Sequence, residues 1–309
     1  MATRTLIGVV LGVFLVGCGG DLTDGGGDGT GDPNDPNDPG DPGAIAACKR
    51  VDLVIAVDDS GSMQEEKDAM RNDVFPAFAS ELLTIGGGLE DYRIGVIDAC
   101  PTPASFHTAG QAGECSFSSG KPWMESSSPD LVGEFQCVGD IVSADSACSG
   151  QNDDEQPASA AAAALEPPMT SGANQGFVRD DALLVVIAIT DEDEQPTPGA
   201  SAGEVYDRLV ALKGGDVNKM VFLGIGGSSN CDGVYGTAEA ADKLQAVSRR
   251  FEDVDQGLFW DLCQGQLEDG LAAAMDVIES ACDDFCNDPD GCDGGDGTPP
   301  DDDETPPVL

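Results

Sequence analysis

Apolar runs alternate with amphipathic segments along the middle of this chain. Aliphatic runs typical of strands buried on both faces occupy residues 53–57, 183–189 and 220–225. Residues 92–97 predict a further strand, and a shorter one lies at 258–260. Between these runs, apolar residues recur every three or four positions, as they do on one face of a helix. The predicted helices begin near Glu65, near Pro157, at Ala202, at Ala238 and before Leu267. This alternation predicts an α/β fold with a mostly parallel central sheet that is flanked by helices.

The first residues of the chain follow a different pattern. Arg4 precedes an apolar stretch at 6–16, which is too short to span a bilayer and is typical of a secretory signal peptide. The Leu-Val-Gly-Cys sequence that ends at Cys18 resembles a bacterial lipoprotein box. This resemblance implies a signal peptide of residues 1–17 and a lipid anchor on Cys18; an ordinary signal peptide with an incidental cysteine is the alternative. Because Gly19 replaces the Asp of the usual inner-membrane retention signal, we expect the outer membrane or cell surface of a Gram-negative bacterium.

Acidic sequences rich in Gly and Pro flank the predicted domain. Residues 18–47 are too poor in apolar side chains to build a core and predict an extended tether, and residues 285–309 predict a disordered tail. The domain between them spans 48–284. The formal net charge of the chain is −44, and 41 of its 58 acids but only 13 bases lie at 43–282. This balance excludes a basic nucleic-acid-binding surface and favours attraction of cations.

A cluster of oxygen-bearing side chains follows the first predicted strand. Asp58, Ser60 and Ser62 alternate along the sequence Asp-Asp-Ser-Gly-Ser, so that three oxygens can point toward one position. Hard divalent cations prefer such ligands. The alternative is that these residues form a turn and a helix N-cap, since Ser62 with Glu65 fits a capping box. Asp191 directly follows the strand at 183–189, and the carboxyl ends of parallel strands meet at one edge of a sheet. We therefore expect Asp58 and Asp191 to lie together.

These residues resemble the metal-ion-dependent adhesion site of the von Willebrand factor type A (VWA) family, whose first motif is D-x-S-x-S. The resemblance covers about residues 49–283. It implies the Rossmann-like strand order, a divalent cation held by Asp58, Ser60 and Ser62, and a third-loop aspartate at the position of Asp191. Glu192, Asp193 and Glu194 are additional acids nearby, as consistent with solvation as with metal binding.

The second loop departs from the family pattern. Where the resemblance implies a threonine ahead of the third helix, this chain has Gln-Asn-Asp-Asp-Glu-Gln at 151–156. Glu155 is the best substitute ligand, and Asp153 and Asp154 are the alternatives. A glutamate would cancel charge that a neutral threonine leaves on the ion. It would favour a closed site that is less attractive to an acidic partner. The predicted cofactor is a divalent cation, Mg²⁺ or Ca²⁺, and a shell rich in carboxylates favours Ca²⁺.

Ten cysteines remain after Cys18, and an even number in an exported chain predicts disulfides. A zinc site is disfavoured because the chain has one histidine and no C-x-x-C pair. The segment 100–150 carries four of these cysteines and little periodicity, and it predicts a disulfide-rich insertion around a third strand at 135–142. In a VWA-like architecture, two pairings are predicted, Cys48–Cys282 (or Cys48–Cys286) and Cys231–Cys263.

Motifs for catalysis are weak in this sequence. The single histidine, His107, lies in the irregular insertion, and neither a G-x-S-x-G elbow nor a G-x-x-x-x-G-K-[ST] loop occurs. We therefore expect no enzymatic activity. The predicted function is metal-dependent binding of a protein or extracellular-matrix ligand by an envelope- or surface-anchored VWA lipoprotein, as in cell adhesion. The alternative is a structural or assembly component of the cell envelope whose metal only stabilises the fold or is absent.

Overall fold

The computed structural model describes residues 50–82, 89, 91–141, 155–194, 199–233 and 235–287. All of these residues belong to one compact unit, Ile45–Leu309. The predicted signal peptide and tether lie outside the described residues, and so do Cys18 and Cys48. The predicted tail also lies outside them except for its first three residues, which continue the last helix.

In the described part of the chain, ten strands form one large sheet and two small hairpins. They are β1 (Arg50–Val57), β2 (Asp91–Asp98), β3 (Ala109–Gly110), β4 (Gly113–Glu114), β5 (Met124–Glu125), β6 (Leu183–Ile189), β7 (Met220–Gly226), β8 (Cys231–Gly233), β9 (Gly236–Ala238) and β10 (Gly257–Asp261). The large sheet has the order β10-β7-β6-β1-β2-β5. Its pairs are parallel except β2–β5. This is the doubly wound order of Rossmann-like sheets, and it confirms the predicted fold class.

Helices cover both faces of this sheet. They are α1 (Gln64–Ala69), α2 (Phe75–Leu82), α3 (Leu131–Val138), α4 (Pro157–Ala164), α5 (Ala202–Ala211), α6 (Asp242–Glu252) and α7 (Leu267–Asn287), and a π-helical turn at Met70–Val74 joins α1 to α2. Side chains alternate between two cores along β1: Leu53 and Ile55 belong to the core that contains α2, α3 and α7. Val54 and Ala56 belong to the core that contains α4, α5 and α6. The central strands are therefore buried on both faces, as their unbroken apolar sequences predicted.

The predicted third strand at 135–142 is wrong. Residues Leu131–Val138 form helix α3, whose N-cap Asp130 accepts a hydrogen bond from the Gly133 N–H at 3.1 Å. The third strand of the sheet is instead the short β5, which pairs antiparallel with β2. Leu131, Phe135 and Val138 are spaced three and four apart, so burying them on one side requires a helix. A disulfide between Cys115 and Cys137 attaches this helix to the preceding segment.

Helix α6 begins at Asp242, four residues after its predicted start, because residues 236–238 pair with 231–233 as the hairpin β8–β9. A Cys231–Cys263 disulfide, one of the two predicted pairings, fastens this hairpin to the segment after β10. Cys282 is also disulfide-bonded. Its predicted partner Cys48 lies outside the described residues. Within the part of the chain described here, no helix has both the length and the apolar character needed to cross a membrane.

Candidate metal centre

Asp58 is the centre of the candidate site. It follows β1 directly, is fully buried, and donates its backbone N–H to the Ile189 carbonyl of the neighbouring strand at 2.9 Å. Its Oδ1 accepts from the Ser60 N–H at 2.7 Å, and its Oδ2 accepts from Thr190 Oγ1 at 2.8 Å. Because both carboxylate oxygens are held by neighbouring groups, the orientation of this side chain is set by the two loops together.

The other residues of the predicted set lie next to Asp58. Ser60 Oγ and Ser62 Oγ are 2.8 Å apart, and Ser62 Oγ donates to Asp191 Oδ1 at 3.3 Å. Residues of two distant loops are therefore connected through side-chain oxygens. This was predicted because both loops follow the carboxyl ends of parallel strands. The fold brings the four residues Asp58, Ser60, Ser62 and Asp191 into one cluster.

A third acid joins the two aspartates. Asp58, Asp191 and Glu192 each offer one carboxylate oxygen, and these oxygens all lie within 4.8 Å of one another. Sequence reasoning left Glu192 undecided between solvent and metal. Its position directly after Asp191, at the end of the central strand, was the only signal available.

Glu155 approaches the same cluster from the second loop. It immediately precedes Gln156, the N-cap of α4, and only 7% of its surface is exposed. Its carboxyl group is near enough to the carboxyls of Asp58 and Glu192 for both to raise its pKa, and its Oε2 has no hydrogen-bond partner. The structure thus places the predicted substitute for the family threonine beside the aspartate of the first loop.

The two acids that follow Glu192 accept hydrogen bonds from the N-termini of helices around the site. Asp193 Oδ1 accepts from the Lys243 N–H in the first turn of α6 at 2.9 Å. Glu194 is buried, accepts from the Ala158 N–H in the first turn of α4 at 3.2 Å, and pairs with Lys243 Nζ at 2.9 Å. Carboxylates at helix N-termini satisfy orphan N–H groups and complement the helix dipole. These two acids therefore support the loop rather than join the cluster.

Helix α1 adds two buried charged side chains that the sequence did not single out. Lys67 Nζ donates to the carbonyls of Asp59 and Ser60, at 3.0 and 3.2 Å, and so holds the first loop in place. Glu66 is 1% exposed, and its Oε2 has no hydrogen-bond partner. Both residues belong to an amphipathic segment that also contains exposed charges. Its sequence pattern did not indicate which of them is buried.

Burial and mutual repulsion disfavour the ionised forms of these acids. Burial raises the pKa of Glu155 to about 10, with the Glu192 and Asp58 carboxyls adding to the shift. Burial, followed by the charge of Asp58, raises the pKa of Asp191 to about 6. Burial also raises the pKa of Glu66 to about 7. Burial raises the pKa of Asp58 as well, although the hydrogen bonds from Ser60 and Thr190 act to lower it. Removing this penalty requires either protons or a cation.

The residues present fit a divalent cation. Carboxylate and hydroxyl oxygens are the ligands that Ca²⁺ and Mg²⁺ take. The unpartnered Oε2 of Glu155 is a buried acceptor next to the three-carboxylate cluster, and buried acceptors without partners are rare in folded proteins. Asp58, Ser60, Ser62, Asp191, Glu192 and Glu155 would hold the ion.

Comparison with known proteins adds little. No protein-family model matches the chain, and no curated protein matches it. Among solved structures, the chain is similar to the crystal structure of the manganese-loaded Plasmodium vivax TRAP protein, with 13% sequence identity over 76% of this chain and 75% of that chain. The TM-score of this match is 0.35, which is too low to support an argument about this chain. The fold class therefore rests on the sheet order described above.

Proposed function

We propose that this chain is a VWA-type binding protein that captures a protein or matrix ligand through a bound divalent cation. One observation supports this proposal above all others. Oxygens from two loops that are far apart in sequence converge on one point at the carboxyl edge of a parallel sheet. This edge is where open α/β sheets bind their ligands. The cation would offset part of the charge of these carboxylates and would bind an oxygen atom of the partner.

The setting of the domain completes the proposal. We place the domain on an acidic tether anchored by a lipid at Cys18, at the outer membrane or cell surface of a Gram-negative bacterium. The lipid would hold the protein at the membrane. In this arrangement the chain binds its partner without transforming it, and the strongly acidic domain does not bind nucleic acid.

Calorimetry of the Asp58→Ala variant tests the cation site. We expect Ca²⁺ and Mg²⁺ binding to be lost, because both oxygens of Asp58 are positioned by the loops that form the cluster. Asp207→Ala is the matched control, since it removes the same side chain from an exposed position on α5 and should leave affinity unchanged. Equal cation affinity in the wild type and Asp58→Ala would show that the site is misassigned.

A second experiment separates binding from a purely stabilising role. The full chain is applied to a panel of immobilised matrix proteins with and without chelator, and its melting temperature is measured in the same buffers. Capture that is abolished by chelator, while the melting temperature stays well above the assay temperature, supports metal-dependent binding. Loss of folding under chelator, with no capture in either buffer, would instead support the structural alternative.

A further inference from the structure

Lys67 on helix α1 is a buried lysine whose ammonium group is bound to the backbone of the first loop. It is 6% exposed, and its Nζ donates to the Asp59 carbonyl at 3.0 Å and to the Ser60 carbonyl at 3.2 Å. In the described part of the chain, this ammonium forms no ion pair with a carboxylate. Burial of a charged group is unfavourable unless hydrogen bonds compensate it. The two carbonyls therefore hold the ammonium in place, and the ammonium in turn holds the loop.

The peptide unit between Asp59 and Ser60 connects Lys67 to the candidate centre. The unit is trans and planar, so its C=O and its N–H point in opposite directions. Its carbonyl accepts from Lys67 Nζ on one side, and the Ser60 N–H donates to Asp58 Oδ1 at 2.7 Å on the other. The hydrogen bond from Lys67 therefore turns the Ser60 N–H toward the Asp58 carboxylate.

The next peptide unit is held in the same way, because the Ser60 carbonyl also accepts from Lys67 Nζ. Holding the peptide planes on both sides of the Ser60 Cα leaves its φ and ψ little freedom, and these angles set the direction of its side chain. Ser60 Oγ lies 2.8 Å from Ser62 Oγ, which donates to Asp191 Oδ1. Two hydrogen bonds from one ammonium group thus orient the part of the loop that contacts the cluster.

A buried ammonium group could also act as a counter-charge. Its positive charge would offset the carboxylates of the cluster, and it would repel a cation that binds there. Removing it would then raise cation affinity, whereas loss of the hydrogen bonds that orient the loop would lower cation affinity. The geometry favours the second role, because both bonds of Lys67 go to backbone carbonyls and neither goes to an acid of the cluster.

We infer that Lys67 is a positioning residue for the cation centre, which acts through its hydrogen bonds to the Asp59 and Ser60 carbonyls and not through its charge. This inference rests on the proposed cation site. It assigns to α1 the task of keeping the first loop in its binding conformation before the cation arrives.

An open groove makes this inference accessible to chemical rescue. The groove has a volume of about 480 Å³ and lies beside the first loop, where Lys67, Gln64, Gln111 and Ile141 contribute to its lining. Small solutes can therefore reach the space that Lys67→Ala vacates. Propylammonium carries the carbons and the ammonium group that this substitution removes, whereas tetramethylammonium has the same charge but no N–H donor. The two ions separate the loss of hydrogen bonds from the loss of charge.

Two quantities are measured on the full chain: the hydrogen-exchange rate of the Ser60 N–H in cation-free buffer, and the Ca²⁺ affinity by calorimetry. In Lys67→Ala, we expect the Ser60 N–H to exchange about 5-fold faster or more, because the loop opens more easily. We expect Ca²⁺ affinity to fall at least about 10-fold, as it does when a group that orients metal ligands is removed. Propylammonium should partly restore both quantities, and tetramethylammonium at equal ionic strength should restore neither.

Lys213→Ala is the matched control. Lys213 is equally buried, and its Nζ donates to the Arg179 and Ala182 carbonyls, each at 2.6 Å. These carbonyls precede β6, about 20 Å from the end of the strand that leads to Asp191, at a rise of about 3.3 Å per residue. We expect this variant to lose stability but to keep the Ser60 exchange rate and the Ca²⁺ affinity of the wild type. An equal loss of Ca²⁺ affinity in both variants would indicate general destabilisation and contradict the inference.

The remaining outcomes separate this inference from the proposed function. If Ca²⁺ affinity rises in Lys67→Ala, Lys67 acts as a counter-charge and the inference is wrong, although the cation site stands. Restoration by both ions, or by neither, would also overturn it. If Lys67→Ala fails to fold, Lys67→Met keeps the apolar length of the side chain without the ammonium, and wild-type values of both quantities in that variant would refute the positioning role. A wild type that binds no Ca²⁺ removes the proposed function together with this inference.

Discussion

Glu66 offers a quantitative test of how much a buried acid lowers the free energy of unfolding. It is the third residue of α1, is 1% exposed, and has one carboxylate oxygen without a hydrogen-bond partner. Burial raises its pKa from 4.5 to about 7, and the charge of Asp191 adds to the shift. We predict that the stability of Glu66→Gln relative to the wild type, in the absence of cations, is higher at pH 8 than at pH 4.

The sign follows from proton linkage. Between pH 4.5 and about 7 the folded protein holds a proton on Glu66 that the unfolded chain has released. The free energy of unfolding of the wild type therefore falls as the pH rises through this window, and the penalty is complete above the folded pKa. At about 1.4 kcal/mol per pH unit, the shift corresponds to about 3 kcal/mol. The amide introduced by Glu66→Gln does not titrate, so the variant lacks this contribution to the slope.

Urea denaturation of both proteins between pH 4 and 8, in cation-free buffers, measures the difference. The stability of Glu66→Gln minus that of the wild type should increase by about 3 kcal/mol across this range. Any pH-independent cost of burying an amide cancels in the comparison. Glu65→Gln is the matched control, since it removes the same charge from the exposed neighbouring side chain and should give a much smaller change. Parallel curves for the wild type and Glu66→Gln would refute the reasoning.

Two further substitutions test the supports of the site. Thr190→Val removes the buried hydroxyl that donates to Asp58 at 2.8 Å and should lower the free energy of unfolding by about 1–3 kcal/mol; an unchanged urea midpoint would contradict this role. Replacing Cys231 and Cys263 together by serine opens a disulfide that spans 32 residues and should lower the free energy of unfolding by about 3–4 kcal/mol. The same variant should also weaken Ca²⁺ binding in calorimetry. The reason is that Glu239, directly after the β8–β9 hairpin, donates its backbone N–H to the Asp191 carbonyl at 2.7 Å. Equal Ca²⁺ affinities of this variant and the wild type would show that this contact does not matter.

Local sequence patterns predicted the α/β class and the meeting of Asp58 and Asp191, whereas the strand order was implied only by the resemblance to the VWA family and the predicted third strand was wrong. Unbroken aliphatic runs such as 183–189 are stable only where both faces of a strand are covered, which requires helices on each side. The carboxyl ends of parallel strands meet at one edge, so Asp58 and Asp191 were expected together from the sequence alone. Short-range periodicity is enough for such inferences because it reflects the burial of whole elements.

Only the tertiary structure decided which polar groups meet at that edge. Thr190, Glu66 and Lys67 have ordinary sequence surroundings, and their roles come from being packed between loops that are distant along the chain. Glu155 was selected from several neighbouring acids, but its reach toward Asp58 depends on where the buried helix α4 begins. The ionisation of a carboxylate depends on its solvent exposure and on nearby charges. Both are set by non-local packing, which periodicity along one chain does not record.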